Sequence, residues 1–240
     1  MWRIISGVSL MFLIVFSLKG SDSLSVQEPA YLDSEEANQI ADPLTLDVNI
    51  LNRCVFHAIN EYREQKNKPT FTYSEELSNV ALQFQKSYEH RKFTTFERMV
   101  KKFSRSSLDL TQKEGYKGTL VNVSASSFNV IDYNNKPFFY ERRDTTSPLH
   151  LFYGDRKKVK NDEDKRPIPY YSYAALSRQV VKQMQKLEKK AKSMDKAYRD
   201  VGVYTMLDYK SLYRNGIPQV KVVILYGGFQ IDLLKDLTND

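Results

Sequence analysis

The stretch that most constrains this chain is Asn52–His90, NRCVFHAINEYREQKNKPTFTYSEELSNVALQFQKSYEH. Apolar residues recur at Val48, Leu51, Val55, Ala58 or Ile59 and Tyr62, and again at Leu77, Val80 or Ala81, Phe84 and Tyr88. Steps of three and four put each set on one face of a helix. Asp47 can accept from the free N–H groups of the first turn. Lys68-Pro69 ends that helix, because a residue before proline is pushed out of the helical region. Ser74 fits as N-cap of the second helix, with Glu75 and Glu76 facing the positive end of its dipole. Thr72 with Glu75 also fits a capping box, which leaves the start open by two residues. A helical pair of this kind builds a core.

The 240 residues suffice for one large domain or two small ones. Sixteen Tyr and 13 Phe make a packed interior the expectation. The net charge is +7, and loss of Arg3 and Lys19 with a signal segment leaves 34 basic against 29 acidic residues, or +5. Charge this modest and dispersed does not argue for nucleic acid, and neither an aromatic-basic RNA-binding motif nor zinc-finger spacing occurs.

Residues 1–20 carry one Arg and then an apolar run from Val8 to Leu18. That run is short for a membrane span and suits a secretory signal peptide, an uncleaved anchor being the alternative. Secretion follows, with no stable span after cleavage. Residues 21–46 are polar and acidic and read as a flexible leader. Cys54 is the single cysteine, so no internal disulfide forms, and its place on the apolar side of the first helix makes it a buried thiol.

Farther on, Arg91–Arg105 reads as a short helix with Phe96, Met99, Val100 and Phe103 inward and a solvated basic face outward, a membrane-surface helix being the alternative. Lys117–Asp132 reads as strand, small-residue turn, strand. Residues 134–171 read as a long irregular insertion of mixed charge. A third amphipathic helix begins at Ser172. Arg199–Tyr209 and Gln219–Phe229 read as an antiparallel hairpin, with Asn215-Gly216 suited to its turn. Gly227-Gly228 reads as a strand bulge or end. The domain spans 47–232 and a tail 233–240. Helices segregated around antiparallel strands give an α+β or three-layer α-β-α domain.

Three blocks resemble the CAP superfamily (SCP/TAPS), which includes cysteine-rich secretory and pathogenesis-related proteins. Ile59-Asn60-Glu61-Tyr62-Arg63, six residues before Pro69, is similar to the family's Asn-x-x-Arg helix end. Phe71–Leu77 with Ala81 is similar to its "L-x-W-D-x-x-L-x-x-x-A", with Tyr73 for Trp and Ser74 for the capping Asp. Asp195–Val203 is similar to the stretch entering its Gly-Val-Gly strand. The resemblance implies an α+β fold, a three-layer α-β-α sandwich of CAP/SCP type with a mainly antiparallel central sheet.

Many family members hold two His and two Glu in a central cleft that can bind a divalent metal. Here Val121 stands where one Glu would be, with Asn122 kept beside it, Lys189 at one His position, and Thr94 or Thr95 at the other. His90, one turn upstream, substitutes only in a shifted register. The cleft candidates are thus His90, Asn122 and Lys189, with no metal or other cofactor expected. His57, His90 and His150 are too scattered to supply the converging ligands that zinc wants. Neither a nucleophile elbow, a P-loop nor a dinucleotide fingerprint occurs. Asn122-Val123-Ser124 is a glycosylation sequon, poorly placed in a strand.

Three functions stay open. The first is a secreted, non-catalytic CAP-like domain binding a sterol, a fatty acid or a protein partner, with Phe138–Tyr140, Phe152, Tyr153, Tyr170, Tyr171 and Tyr173 as lining of an apolar groove or as ordinary packing. The second is a metal-assisted hydrolase around His90. The third is an adhesive envelope protein whose charged loop Gly154–Pro169 meets its partner.

Overall fold

The structure is a computed structural model, and it describes residues 30–89, 96–132, 136–141, 150–188, 197–208 and 217–229. The signal segment 1–20, the tail 233–240, His90, Lys189 and Asn215-Gly216 lie outside the described residues.

The 21–46 stretch needs a correction. From Ala30 it is structured: a turn at Tyr31–Asp33 leads into α1 (Glu35–Asn38), capped by Ser34, whose hydroxyl accepts from Ala37 N–H. Leu32, Ala37 and Ala41 are buried in the core. Ala41 N–H donates to Tyr171 O, and Tyr173 N–H to Gln39 O, so the segment is belted to residues far along the chain. The packed domain therefore begins by Ala30 and not at Asp47.

The helical pair forms as its spacing predicts. α2 (Val48–Gln65) is capped by Asp47, whose carboxylate accepts from Asn49 and Ile50 N–H, and it buries Leu51, Cys54, Val55, Ala58 and Ile59. Leu51, Val55 and Ile59 each contribute about 1.5–3 kcal/mol by their burial. Asn67, at φ 52°, turns the chain out of the helix two residues before Pro69. After β1 (Thr72–Tyr73), α3 (Glu75–Glu89) starts at Ser74, whose hydroxyl accepts from Leu77 N–H. Two short helices follow, α4 (Phe96–Ser104) and α5 (Ser107–Lys113). Met99 and Phe103 of α4 are buried, while Lys101 and Lys102 are exposed.

The segment expected to turn at its serines is instead one strand, β2 (Leu120–Asn129). Ser124, Ser126 and Ser127 have low strand preference, but each is paired with β7 (Gln219–Gly228), and tertiary pairing overrides weak propensity. Residues 134–171 are a second correction. Their described parts build a small sheet of β3 (Phe138–Glu141), β4 (His150–Tyr153) and β5 (Arg166–Pro167). Phe139 stacks on Phe152 across it, and Glu141 bonds to both Lys165 and Arg156. Strands of two to four residues are too short to show alternation in sequence.

α6 (Tyr173–Glu188) is capped by the Ser172 hydroxyl, and β6 (Tyr198–Leu207) pairs antiparallel with β7 as expected. The main sheet has the order β1–β6–β7–β2, antiparallel except for the parallel pair β1–β6. Gly227 and Gly228 close β7 opposite a bulge between Tyr198 and Asp200.

Both faces of this sheet are covered. On one, α1, α2 and α6 pack over Val201, Val203, Val222 and Ile224. On the other, α3, α4 and α5 pack over Met206, Val223 and Leu225. The chain is an α+β protein with a mixed sheet. Among the described residues, no helix is long and apolar enough to cross a membrane.

Candidate functional site

The best-defined polar construction lies where β1 meets β6. The Asn60 side chain grips the link after α2 from both sides: its oxygen accepts from Phe71 N–H at 2.8 Å and its amide donates to Phe71 O at 3.0 Å. Arg63, buried, donates from Nε to Pro69 O and lies 3.7 Å over the Phe71 ring. Thr72 and Tyr73 then pair with Asp200 and Val201, and Ser74 N–H donates to Val201 O. Ser78 Oγ donates to Ser74 O and accepts from Val203 N–H. A Cβ on Gly202 would stand 2.5 Å from the Leu77 backbone. Residues 59–63, 71–77 and 197–203, far apart in sequence, thus form one junction. It is a scaffold of matched donors and acceptors, closed to solvent at its centre.

Of the three cleft candidates, Asn122 alone falls among the described residues. It is exposed on β2, opposite Tyr226, and shares a face with Ser124 and Ser126, opposite Ile224 and Val222. That face is the one covered by α2 and α6. Val121 turns to the other face and packs against the α3–α5 cluster. The helices preceding His90 and Lys189, α3 and α6, pack on opposite faces of the sheet. The exposed Asn122 leaves the sequon open to solvent, on an outer strand.

The described histidines stand apart. His57 sits between Tyr31 and Phe56, at ring distances of 4.6 and 5.2 Å, and burial together with nearby Arg53 lowers its pKa. His150 is exposed on β4, paired with Glu141. Among the described residues, no three His, Cys, Asp or Glu side chains converge as metal ligands. Cys54 is buried, and burial pushes its thiol up to about 12.

One buried charge had no signal in the sequence. Lys221 interrupts the apolar run of β7, is almost wholly buried on the α3–α5 face, and pairs with Asp208 at 2.6 Å. Its ammonium also lies 5.3 Å over the Phe96 ring. The distance in sequence between α4, Asp208 and Lys221 is what hid the arrangement.

Burial also pushes Tyr170 and Tyr171 up to about 12, and raises Tyr31, Tyr116, Tyr173 and Tyr198. A group whose proton is held more tightly when folded stabilises the fold below its unfolded pKa. That contribution is lost as pH rises through the folded value. Stability is therefore expected to fall steeply between about pH 9 and 12, the window opened by the thiol and the phenols. Urea midpoints across that range check this; a flat profile would show these groups to be solvated.

Comparison of the chain with protein-family models, with curated proteins and with solved structures finds no match.

Proposed function

We propose that this chain is a secreted, CAP-like domain of three-layer α-β-α type that works by binding a partner and not by turnover. The observation that carries the proposal is the junction. The three blocks that resemble the family come together there, and Asn60, Arg63, Ser74 and Gly202 each have a definite structural task in it. Helices on both faces of the sheet support the α-β-α form.

The shifts at the described thiol, phenols and Glu76 have structural causes. Catalytic acids and bases work best with pKa values near the operating pH. Here the thiol and phenols named above move up, and Glu76, held by its own backbone N–H and the Ser74 hydroxyl, moves down. The shifts carry these groups away from neutrality.

Within binding, the packing favours a protein over a lipid. Tyr173 is buried, and Phe138, Tyr153, Tyr170 and Tyr171 pack against the main core, while Phe139 stacks on Phe152 on the other face of the small sheet, beside Arg156 and Lys165. The adhesive reading draws support from the stretch 154–169. It carries two ordered turns, one capped by Asp155 and one boxed by Asn161 and Asp164, and presents Arg156, Lys157, Lys158, Lys160, Asp162 and Glu163 to solvent.

Expression with the native N-terminus in a secreting host, followed by assay of the released protein, tests the proposal. The protein is expected in the medium, without ester or peptide hydrolysis on addition of zinc and without saturable binding of labelled sterol or fatty acid. Zinc-dependent turnover lost in His90→Ala would establish the hydrolase instead, and saturable lipid binding would replace the protein partner with a lipid.

A further inference from the structure

Among the described residues, the main sheet has one long open edge: β2 is terminal in the order β1–β6–β7–β2 and pairs with β7 alone. Val130 N–H donates to Pro218 O, which fixes the alternation along the ladder. Even-numbered residues of β2 face β7 with their backbone groups, so Val121, Val123, Ala125 and Ser127 turn their N–H and C=O outward. Natural sheets blunt such an edge with short strands, bulges, Pro or charge. The opposite edge, β1, is two residues long. β2 is ten residues long, LVNVSASSFN, without charge or proline, and its register with β7 is unbroken from Leu120↔Gly228 to Asn129↔Gln219.

The surroundings of that edge are basic. α4 and α5 cover the face of the sheet on which Val121, Val123 and Ala125 lie. Lys101, Lys102, Arg105 and Lys113 are exposed there, and Lys117 is exposed just before the strand. From Phe96 to Lys117 the chain holds six basic residues against Glu97, Asp109 and Glu114.

We propose that β2 is a docking edge for an extended, acidic segment of a partner protein, which adds to the sheet as a fifth strand. The outward backbone groups of Val121, Val123, Ala125 and Ser127 supply the hydrogen bonds, and the lysines and arginine above select the charge. Charge complementarity favours this occupant over a second copy of the chain. Pairing two β2 edges in one continuous sheet would bring two basic α4 helices onto the same side. The inference rests on the binding role proposed above and names its site and partner class.

The test uses the purified chain and three labelled nine-residue peptides. One alternates Val and Glu, one alternates Val and Lys, and one has the Val/Glu composition interrupted by Pro. The Val/Glu peptide is expected to bind at least about tenfold more tightly than either other. Its binding should weaken with salt and protect the amides of Val121, Val123, Ala125 and Ser127 from exchange. Ala125→Pro removes an outward N–H while keeping the ladder to β7, and it should abolish binding with the circular dichroism unchanged. Lys101→Glu with Lys102→Glu, on the exposed helix face, should weaken the Val/Glu peptide and leave the fold intact.

Equal affinity for the Pro-interrupted peptide would reduce the contact to charge alone and overturn strand addition. Self-association lost in Ala125→Pro would replace the partner with a second copy. Absence of binding up to about 1 mM would remove the edge as a site. If another ligand is bound while β2 variants leave that binding untouched, the binding role stands and this edge falls.

Discussion

Gly202→Ala is expected to lower stability by about 3 kcal/mol, near the upper end for forcing one methyl into a packed interior. β6 crosses α3 so closely at Gly202 that an added Cβ would meet the backbone of Leu77 and Ser78, and backbone cannot rotate aside as a side chain would. The strain would spread to two bonds beside it, from Val203 N–H to Ser78 Oγ and from Ser74 N–H to Val201 O. In urea the midpoint should drop by about 1.5 M, at a slope of about 2 kcal/mol/M left unchanged. A loss below about 1 kcal/mol would mean that α3 can shift outward, and that the junction is looser than its hydrogen bonds imply.

Asp208→Asn and Lys221→Met should differ although they break the same pair. Lys221 is nearly inaccessible, whereas Asp208 keeps some contact with solvent. Removing the carboxylate takes away the charge that offsets a buried ammonium, and is expected to cost about 3 kcal/mol. Removing the ammonium leaves the Asp208 carboxylate, which still reaches solvent, and is expected to cost less, about 1–2 kcal/mol. Equal losses in the two variants would show that solvent reaches Lys221.

What the sequence made legible were elements whose signals are local. Asp47, Pro69 and Ser74 bound the first two helices by the chemistry of their own turns, and α2, α3 and α6 advertise one apolar face each. β6 from Val201 and β7 from Val220 are rich in β-branched, aromatic and aliphatic residues and need no partner to be recognised. The errors fall where order comes from elsewhere. Leu32, Ala37 and Ala41 are isolated among acidic residues, and their burial depends on Tyr171 and Tyr173 some 130 positions away. Ser124, Ser126 and Ser127 look like a turn until β7 is placed beside them. The resemblance singled out Asn122 but could not give its face, because a strand's two faces differ by a single step in register. The Lys221–Asp208 pair and the open edge of β2 are properties of the assembled sheet and have no one-dimensional signature.

The strand order carries a consequence for how the chain is made. β1 and β2 each need β6 or β7 alongside, and those two strands are the final described elements to be synthesised. Until Gly228 is delivered, the apolar sides of α2, α3 and α6 have no sheet to cover. Among the described elements the main sheet therefore closes only when β7 is in place, and the chain collapses late around contacts of high sequence separation. Truncation just before β7 should accordingly leave a chain that chaperones hold, not a smaller folded core.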